Sequence, residues 1–145
     1  METNAGFTIT KIKQLGDRIF EKILSRKNID AFNGPQGRIL YVLWRSDGIP
    51  IREVSDKCGL ALTSLTTMLE RMEKAGLIRR EQDGEDRRKT KLFLTEKARA
   101  LRNDYDEVSN EMTEIYFRGF SSDETDQFEA YLERIRENLE KWSGK

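Results

Sequence analysis

Histidine is absent from this chain of 145 residues, cysteine occurs once and proline twice, and 26 basic and 26 acidic side chains cancel to a formal net charge of zero. Each shortage excludes something. A zinc site takes roughly four ligands, usually with His or Cys among them, so no metal is expected. Cys58 has no second thiol for an intramolecular disulfide. There is no histidine base, glycine-rich phosphate loop or nucleophile elbow, so no catalytic residue is assigned, no cofactor is expected and an enzyme is the disfavoured class. No apolar run approaches the ~18 residues of a membrane span. The opening METNAGFTITKIKQ has neither the basic start nor the apolar stretch of a signal peptide. A cytoplasmic chain without a membrane partner is the expectation. Zero net charge gives no warrant for nucleic-acid binding by bulk electrostatics.

The charge that is present is unevenly placed. Residues 1–102 carry 21 basic and 14 acidic side chains, net +7, while residues 103–145 carry 5 basic and 12 acidic, net −7. Such a split suggests that one part meets a polyanion and the other does not. With 36% charged against 37% hydrophobic residues, apolar material for a large monomeric core is scarce, which points to a helical chain that depends in part on a partner.

Periodicity organises the chain into helices with one interruption. Ile9, Ile12, Leu15, Ile19 and Ile23 recur every three or four positions between Phe7 and Lys27, an amphipathic helix. After Asn33-Gly34-Pro35, a second run, Ile39, Leu40, Leu43 and Trp44, stops at Ser46-Asp47-Gly48. Pro50 suits the first turn of a third helix with Ile51, Val54, Ser55 and Cys58 on one face, and Gly59 offers a left-handed stop. A fourth helix has the inward stripe Leu65, Met68, Leu69 and Met72 and ends at Gly76. The period then changes to two: Leu77 to Glu81 and Lys91 to Leu94 read as a β-hairpin around Asp83-Gly84. Thr95 can cap one long helix with the seam Leu101, Tyr105, Val108, Met112 and Ile115, ending at Gly119. Ser121 and Glu124 form a capping box for a last helix carrying Phe128, Leu132, Ile135, Leu139 and Trp142 on one side.

Helix, short turn, helix and hairpin between positions 50 and 95 is the order of a winged helix-turn-helix, whose second helix enters the major groove. Setting the apolar stripe of the fourth helix inward turns Thr63, Thr67, Glu70 and Lys74 outward, with Ser64, Thr66 and Arg71 on the flanks. Short hydroxyls at a helix start can bond phosphate oxygens or base edges, although Ser and Thr are also tolerated there for purely structural reasons. Arg87, Arg88 and Lys89 stand at the hairpin tip, where a guanidinium can reach a narrow minor groove, or simply be solvated.

Three segments, PIREVSDKCGL, TSLTTMLERMEKAGLIRRE and GEDRRKTKLFLTEKAR, resemble the multiple antibiotic resistance regulator (MarR) family of bacterial repressors. Asp86-Arg87-Arg88 followed by Leu94-Thr95 matches the family's wing pattern, D-x-R, five residues, then L-T. The resemblance extends over nearly the whole chain, from Pro35-Gln36 to the paired terminal helices. It implies a single domain, 1–145, mainly α with a small β-hairpin wing: a DNA-binding lobe at 33–95, flanked by dimerisation helices at 7–28 and 96–142. It also implies a homodimeric regulator that binds double-stranded DNA at a pseudo-palindromic operator, with a small aromatic or anionic ligand as a further partner. DNA contacts are then expected from Thr63, Ser64, Thr66, Thr67, Arg71, Lys74, Arg87, Arg88 and Lys89. Arg88 is the groove probe, and Asp86 positions it through bidentate pairing. Tyr41, Trp44, Arg45 and Tyr105 are the ligand candidates, although aromatics at helical spacing are usually core. Ile9, Ile12, Leu132, Ile135 and Leu139 are the dimer contacts. The tip departs from the pattern in being acidic, with Asp83, Glu85 and Asp86 together.

Two other classes stay open. A winged-helix protein-interaction module would leave the hydroxyl-rich face and arginine tip without a polyanion. A thiol-based redox sensor would use Cys58, yet its apolar helix face favours a buried structural thiol.

Overall fold

Asn33 opens the second helix with both halves of a capping box: its side chain accepts from the Gln36 N–H at 2.9 Å, and the Gln36 side chain accepts from the Asn33 N–H at 3.1 Å. A third anchor comes from thirteen residues earlier, where the Glu21 carboxylate accepts the Gly34 N–H at 2.6 Å. An acidic group at a helix start satisfies an orphan donor and complements the helix dipole. The computed structural model describes residues 1–86 and 88–144 and divides into two compact units, Met1–Asn110 and Glu111–Lys145.

The first unit contains α1 (Ala5–Arg26), α2 (Gly34–Arg45), β1 (Ile49–Pro50), α3 (Ile51–Cys58), α4 (Leu62–Lys74), β2 (Ile78–Gln82), β3 (Thr90–Leu94) and α5 (Glu96–Ala100). The next helix, α6 (Arg102–Tyr116), begins there and runs on into the second unit, which also holds α7 (Ser122–Ser143). The core of the first unit is made by α2, α3, α4 and the sheet: Ile39, Leu40, Leu43, Val54, Leu65, Leu69, Met72, Ile78 and Leu92 are each no more than 2% exposed. Met68, expected on the inward stripe of α4, is only half-buried at its flank.

The wing differs from the expected hairpin by one strand. The sheet is antiparallel with the order β1-β3-β2; Ile49 pairs with Leu92 and Pro50 with Lys91, while Ile78 pairs with Leu94 and Arg80 with Leu92. A two-residue strand has no period to detect, and Pro50 stands at the sheet edge, where a missing N–H is tolerated. Inward, Ile78, Leu92 and Leu94 join the core. Outward, the Arg79 guanidinium lies 4.6 Å from the centre of the Phe93 ring.

The long helix expected after Thr95 is likewise two helices. Thr95 does cap α5, accepting from Ala98 N–H at 3.2 Å. The Ala98 carbonyl then accepts both the Leu101 N–H (3.1 Å) and the Trp44 indole N–H (3.2 Å). This tightened i to i+3 turn, pulled toward α2, separates α5 from α6. In the second unit, Ser121 and Glu124 form the expected capping box and Gly119 adopts φ +85°. Phe117 packs against Phe120 and Phe128 with ring centres 5.6 and 6.0 Å apart.

One carboxylate joins three elements of the first unit. Asp47 Oδ1 accepts the Leu94 N–H at 2.9 Å and Oδ2 accepts from Arg99 Nη2 at 2.9 Å, so the turn after α2 is fastened to the end of β3 and to α5. Asp47→Ala is expected to lower stability by about 1–3 kcal/mol, because a part-buried N–H loses its acceptor. Thermal unfolding followed by circular dichroism checks this; an unchanged midpoint would show the fastening to be dispensable.

Candidate nucleic-acid interface

The turn between α3 and α4 sets how α4 is presented. Gly59 takes φ +66°, its N–H and that of Leu60 both donate to the Ser55 carbonyl, and the Ser55 hydroxyl donates to the Leu60 carbonyl at 2.5 Å. A left-handed residue at a helix end favours glycine. At the other end of α4, Gly76 at φ +76° turns the chain into the sheet. There Thr95 Oγ1 donates to the Gly76 carbonyl at 2.6 Å and Lys97 Nζ to the Ala75 carbonyl at 2.8 Å. Both ends are therefore held, and the face opposite Leu65, Leu69 and Met72 is left outward.

Thr63, Ser64, Thr66, Thr67, Arg71 and Lys74 are all exposed, as the sequence pattern predicts. Thr66 differs from the others: its hydroxyl donates to the Leu62 carbonyl at 2.9 Å. The side chains of Thr63, Ser64, Thr67, Arg71 and Lys74 make no hydrogen bond or ion pair among the described residues. No side chain caps the N-terminus of α4, whose N-cap is Ala61. Its first N–H groups therefore share that end with the hydroxyls of Thr63 and Ser64.

At the wing tip, Asp83 N–H donates to the Lys89 carbonyl at 2.9 Å and Lys89 N–H to the Asp86 carbonyl at 3.0 Å. Asp86 is paired with Arg88, but not in the bidentate manner expected. One oxygen, Oδ1, accepts both the Arg88 backbone N–H (3.0 Å) and Nε–H (3.3 Å). The backbone donor lies only two residues away, so the carboxylate closes a local turn and leaves the two terminal guanidinium nitrogens outward; the Arg88 side chain is 92% exposed. Asp83 accepts the Glu85 N–H at 3.0 Å. That bond, with Lys91 and Lys89 nearby, holds its carboxyl below the usual aspartate range. Two of the three acidic tip residues thus shape the turn. Arg87 lies outside the described residues.

A cleft of about 580 Å³ between the start of α3 and the wing is lined by Arg52, Glu53, Asp56, Arg88 and Lys89. Arg52 was not singled out from the sequence. The pairing of β1 with β3 carries the start of α3 to the base of the wing; the extended conformation favoured before a proline was the local hint.

The ligand candidates are divided. Tyr41, Trp44 and Arg45 line a depression of about 420 Å³ together with Arg102 and Asp106. The Arg45 guanidinium lies 5.3 Å from the Tyr41 ring centre and donates to its hydroxyl. Tyr105 is instead the hub of an aromatic cluster, with Phe20, Phe32, Tyr41 and Trp44 centred 5.3–6.1 Å away. Burial pushes its hydroxyl pKa up, helped by the neighbouring Tyr41.

The dimer candidates Ile9, Ile12, Leu132, Ile135 and Leu139 are all exposed, between 40% and 66%, and no described residue of α7 is buried. Cys58 is buried, and burial pushes its thiol up to about 11, partly offset by Arg38.

A helix-turn-helix pair followed by a sheet wing defines the class: a winged helix-turn-helix protein. The MarR family model matches residues 32–90, so this stretch of the chain is similar to the MarR family of transcriptional regulators. The HTH-type transcriptional regulator TtmR of Methylorubrum extorquens is 38% identical over 72 residues, which is 50% of this chain and 37% of that protein. The uncharacterised regulator YfiV of Bacillus subtilis is 33% identical over 46% of this chain and 42% of its own length. The chain therefore matches well under half the length of these two curated relatives. A MarR transcriptional regulator from Methanosarcina mazei Go1 is 26% identical, covers 94% of this chain and 96% of its own, and superposes with a TM-score of 0.84. A mutant MarR of E. coli, solved in complex with operator DNA, is 23% identical over 90% and 91% of the two chains, with a TM-score of 0.80. That likeness is one of fold.

Because the thiol is held protonated, Cys58 is expected to react slowly with alkylating reagents at pH 8 in the native protein and rapidly after unfolding. Its folded pKa lies above the ordinary value of 9.0, so its contribution to stability is full below about pH 9 and is lost as pH rises toward about 11. Native alkylation as fast as that of the unfolded chain would overturn the buried assignment, and the Cys58→Ala variant isolates the alkaline loss.

Proposed function

We propose that this chain is a homodimeric, sequence-specific DNA-binding repressor that occupies a pseudo-palindromic operator and is released by a small aromatic or anionic ligand. The observation that carries the DNA reading is the outward face of α4. Its Thr63, Ser64, Thr67, Arg71 and Lys74 have no intramolecular partner among the described residues, and they stand on a helix whose two ends are fixed. In a winged helix-turn-helix such a helix lies in the major groove. Hydroxyls there can bond base edges or phosphates, Arg71 and Lys74 neutralise phosphates or read guanine, and Thr66 contributes its methyl group. Arg88, with its terminal nitrogens free of the Asp86 contact, fits a narrow minor groove flanking the site. Lys89 and Arg52 face the adjoining backbone from the cleft at the wing base.

The dimer reading rests on apolar surface without a partner. Ile9 and Ile12 on α1 and Leu132, Ile135 and Leu139 on α7 remain exposed in the single chain, and pairing with a second copy would bury them. Two recognition helices about 34 Å apart would then enter successive major grooves. The Tyr41, Trp44 and Arg45 depression is of a size for a small aromatic anion, with Arg45 and Arg102 as counter-charges.

Titration of a duplex selected from a random pool tests the DNA reading. Affinity should fall steeply with salt as counterions are released, and Arg88→Ala should cost about 1–3 kcal/mol at unchanged fold. Binding that is flat in salt, or indifferent to Arg88, would overturn it. Ile12→Glu and Leu132→Glu should weaken self-association in sedimentation and protection of an inverted repeat together, because each half-site loses the second subunit's contacts. A wild-type monomer that protects a single half-site as well as a full repeat would remove the dimer.

A further inference from the structure

The outward face of α4 also carries a negative charge. Helix geometry places Glu70 on the same side as Thr63, Thr67 and Lys74, and it is exposed with no hydrogen bond or ion pair among the described residues. The other carboxylate on the outside of α4 is committed: Glu73 Oε1 lies 3.7 Å from Arg80 Nε of β2. Lys74 stands four residues after Glu70, the favourable order for a helix ion pair, yet no such pair forms. An uncompensated carboxylate beside a polyanion lowers affinity for every sequence unless it finds a donor on the bases.

We propose that Glu70 is a specificity-determining residue that reads cytosine in the major groove, a role that rests on the DNA-binding reading above. An ionised carboxylate only accepts hydrogen bonds. Cytosine offers the N4 amino group, guanine offers two acceptors and thymine one, and adenine places its N7 acceptor beside its amino group. An acceptor-only side chain therefore favours cytosine and rejects guanine and thymine. Thr63 and Glu70 are separated by about 10 Å along the helix axis, within the roughly 12 Å width of the groove, so hydroxyl and carboxylate can address different base pairs of one half-site.

The test is selection from a random duplex pool by wild type, Glu70→Ala and Glu70→Gln, followed by titration of the winners and their single-base variants. Exposure and lack of partners make both variants compatible with the fold, which circular dichroism verifies. Wild type should require cytosine at one position of each half-site, losing about 5- to 100-fold on other bases. Glu70→Ala should accept all four bases there and keep every other preference. Glu70→Gln should shift the position toward adenine, which an amide can bond through both N6 and N7. Unchanged preferences in Glu70→Ala, or affinity raised equally on all duplexes, would overturn the role of Glu70 while leaving the DNA reading intact. Wild type enriching no duplex would overturn both.

Discussion

The carboxylate of Asp47 fixes the relation between the wing and the helical lobe. It accepts the backbone N–H of Leu94 with one oxygen and the Arg99 guanidinium with the other. Immediately after it, Gly48 N–H donates to the Leu92 carbonyl at 2.9 Å, and Ile49 and Pro50 complete the pairing with β3. The turn that ends α2 therefore becomes the third strand of the wing. Gly48 is required there: its φ is +72°, and a Cβ at that position would meet Phe93 Cε1 at 2.7 Å. Because α3 starts at the next residue after β1, the strand pairing ties the start of α3, and through the Gly59 turn α4, to the sheet. For the proposed DNA reading such a fixed spacing matters, since a loose arrangement of helix and wing would have to be ordered on binding.

The acidic wing tip makes sense within that frame. On the proposed DNA reading, a hairpin that presents arginine to a phosphate-lined groove needs its turn closed by something other than the arginine's terminal nitrogens. Asp83 and Asp86 do this by accepting backbone N–H groups two residues onward. Their charge is thus largely engaged in short local bonds, and Asp86 uses only Nε of the Arg88 side chain. Within the tip, Glu85 makes no side-chain bond among the described residues, so it is the acidic position with the least structural reason to be there.

Much of this was legible in the sequence because it is local. The stripe Leu65, Leu69 and Met72, the left-handed glycines at 59 and 76, the Thr95 cap and the Ser121 capping box each depend on residues within one or two turns. What was not legible depends on contacts distant in the chain. The two residues of β1 acquire strand character only from β3, and α5 is separated from α6 by an indole N–H that arrives from Trp44, 54 positions earlier. Arg52 reaches the wing cleft only through that strand pairing. Tyr105 stands on the helical seam, where an aromatic is more often core than ligand surface, but which four rings surround it follows from where α1 and α2 pack. The one-oxygen bond of Asp86 was missed for the opposite reason. It is more local than a guanidinium fork, and a neighbouring backbone N–H competes for the same carboxylate.

Locality does not by itself account for α7, a helix with no buried residue. Along α7, Arg136 reaches Glu133 at 2.7 Å and Glu140 at 2.5 Å, pairs three and four positions apart. Hydrogen bonds to those carboxylates raise its pKa further and lower that of Glu133. Solvent screening leaves exposed pairs of this kind worth little, too little to hold a 22-residue helix in water on its own terms. The remaining source of stability is apolar burial, and Leu132, Ile135, Leu139 and Trp142 supply a stripe that the single chain leaves exposed. Negative charge on the other faces opposes any approach to phosphate. A helix of this composition is therefore suited to a protein surface of matching apolar pattern, and the proposed second copy presents one in its own α7.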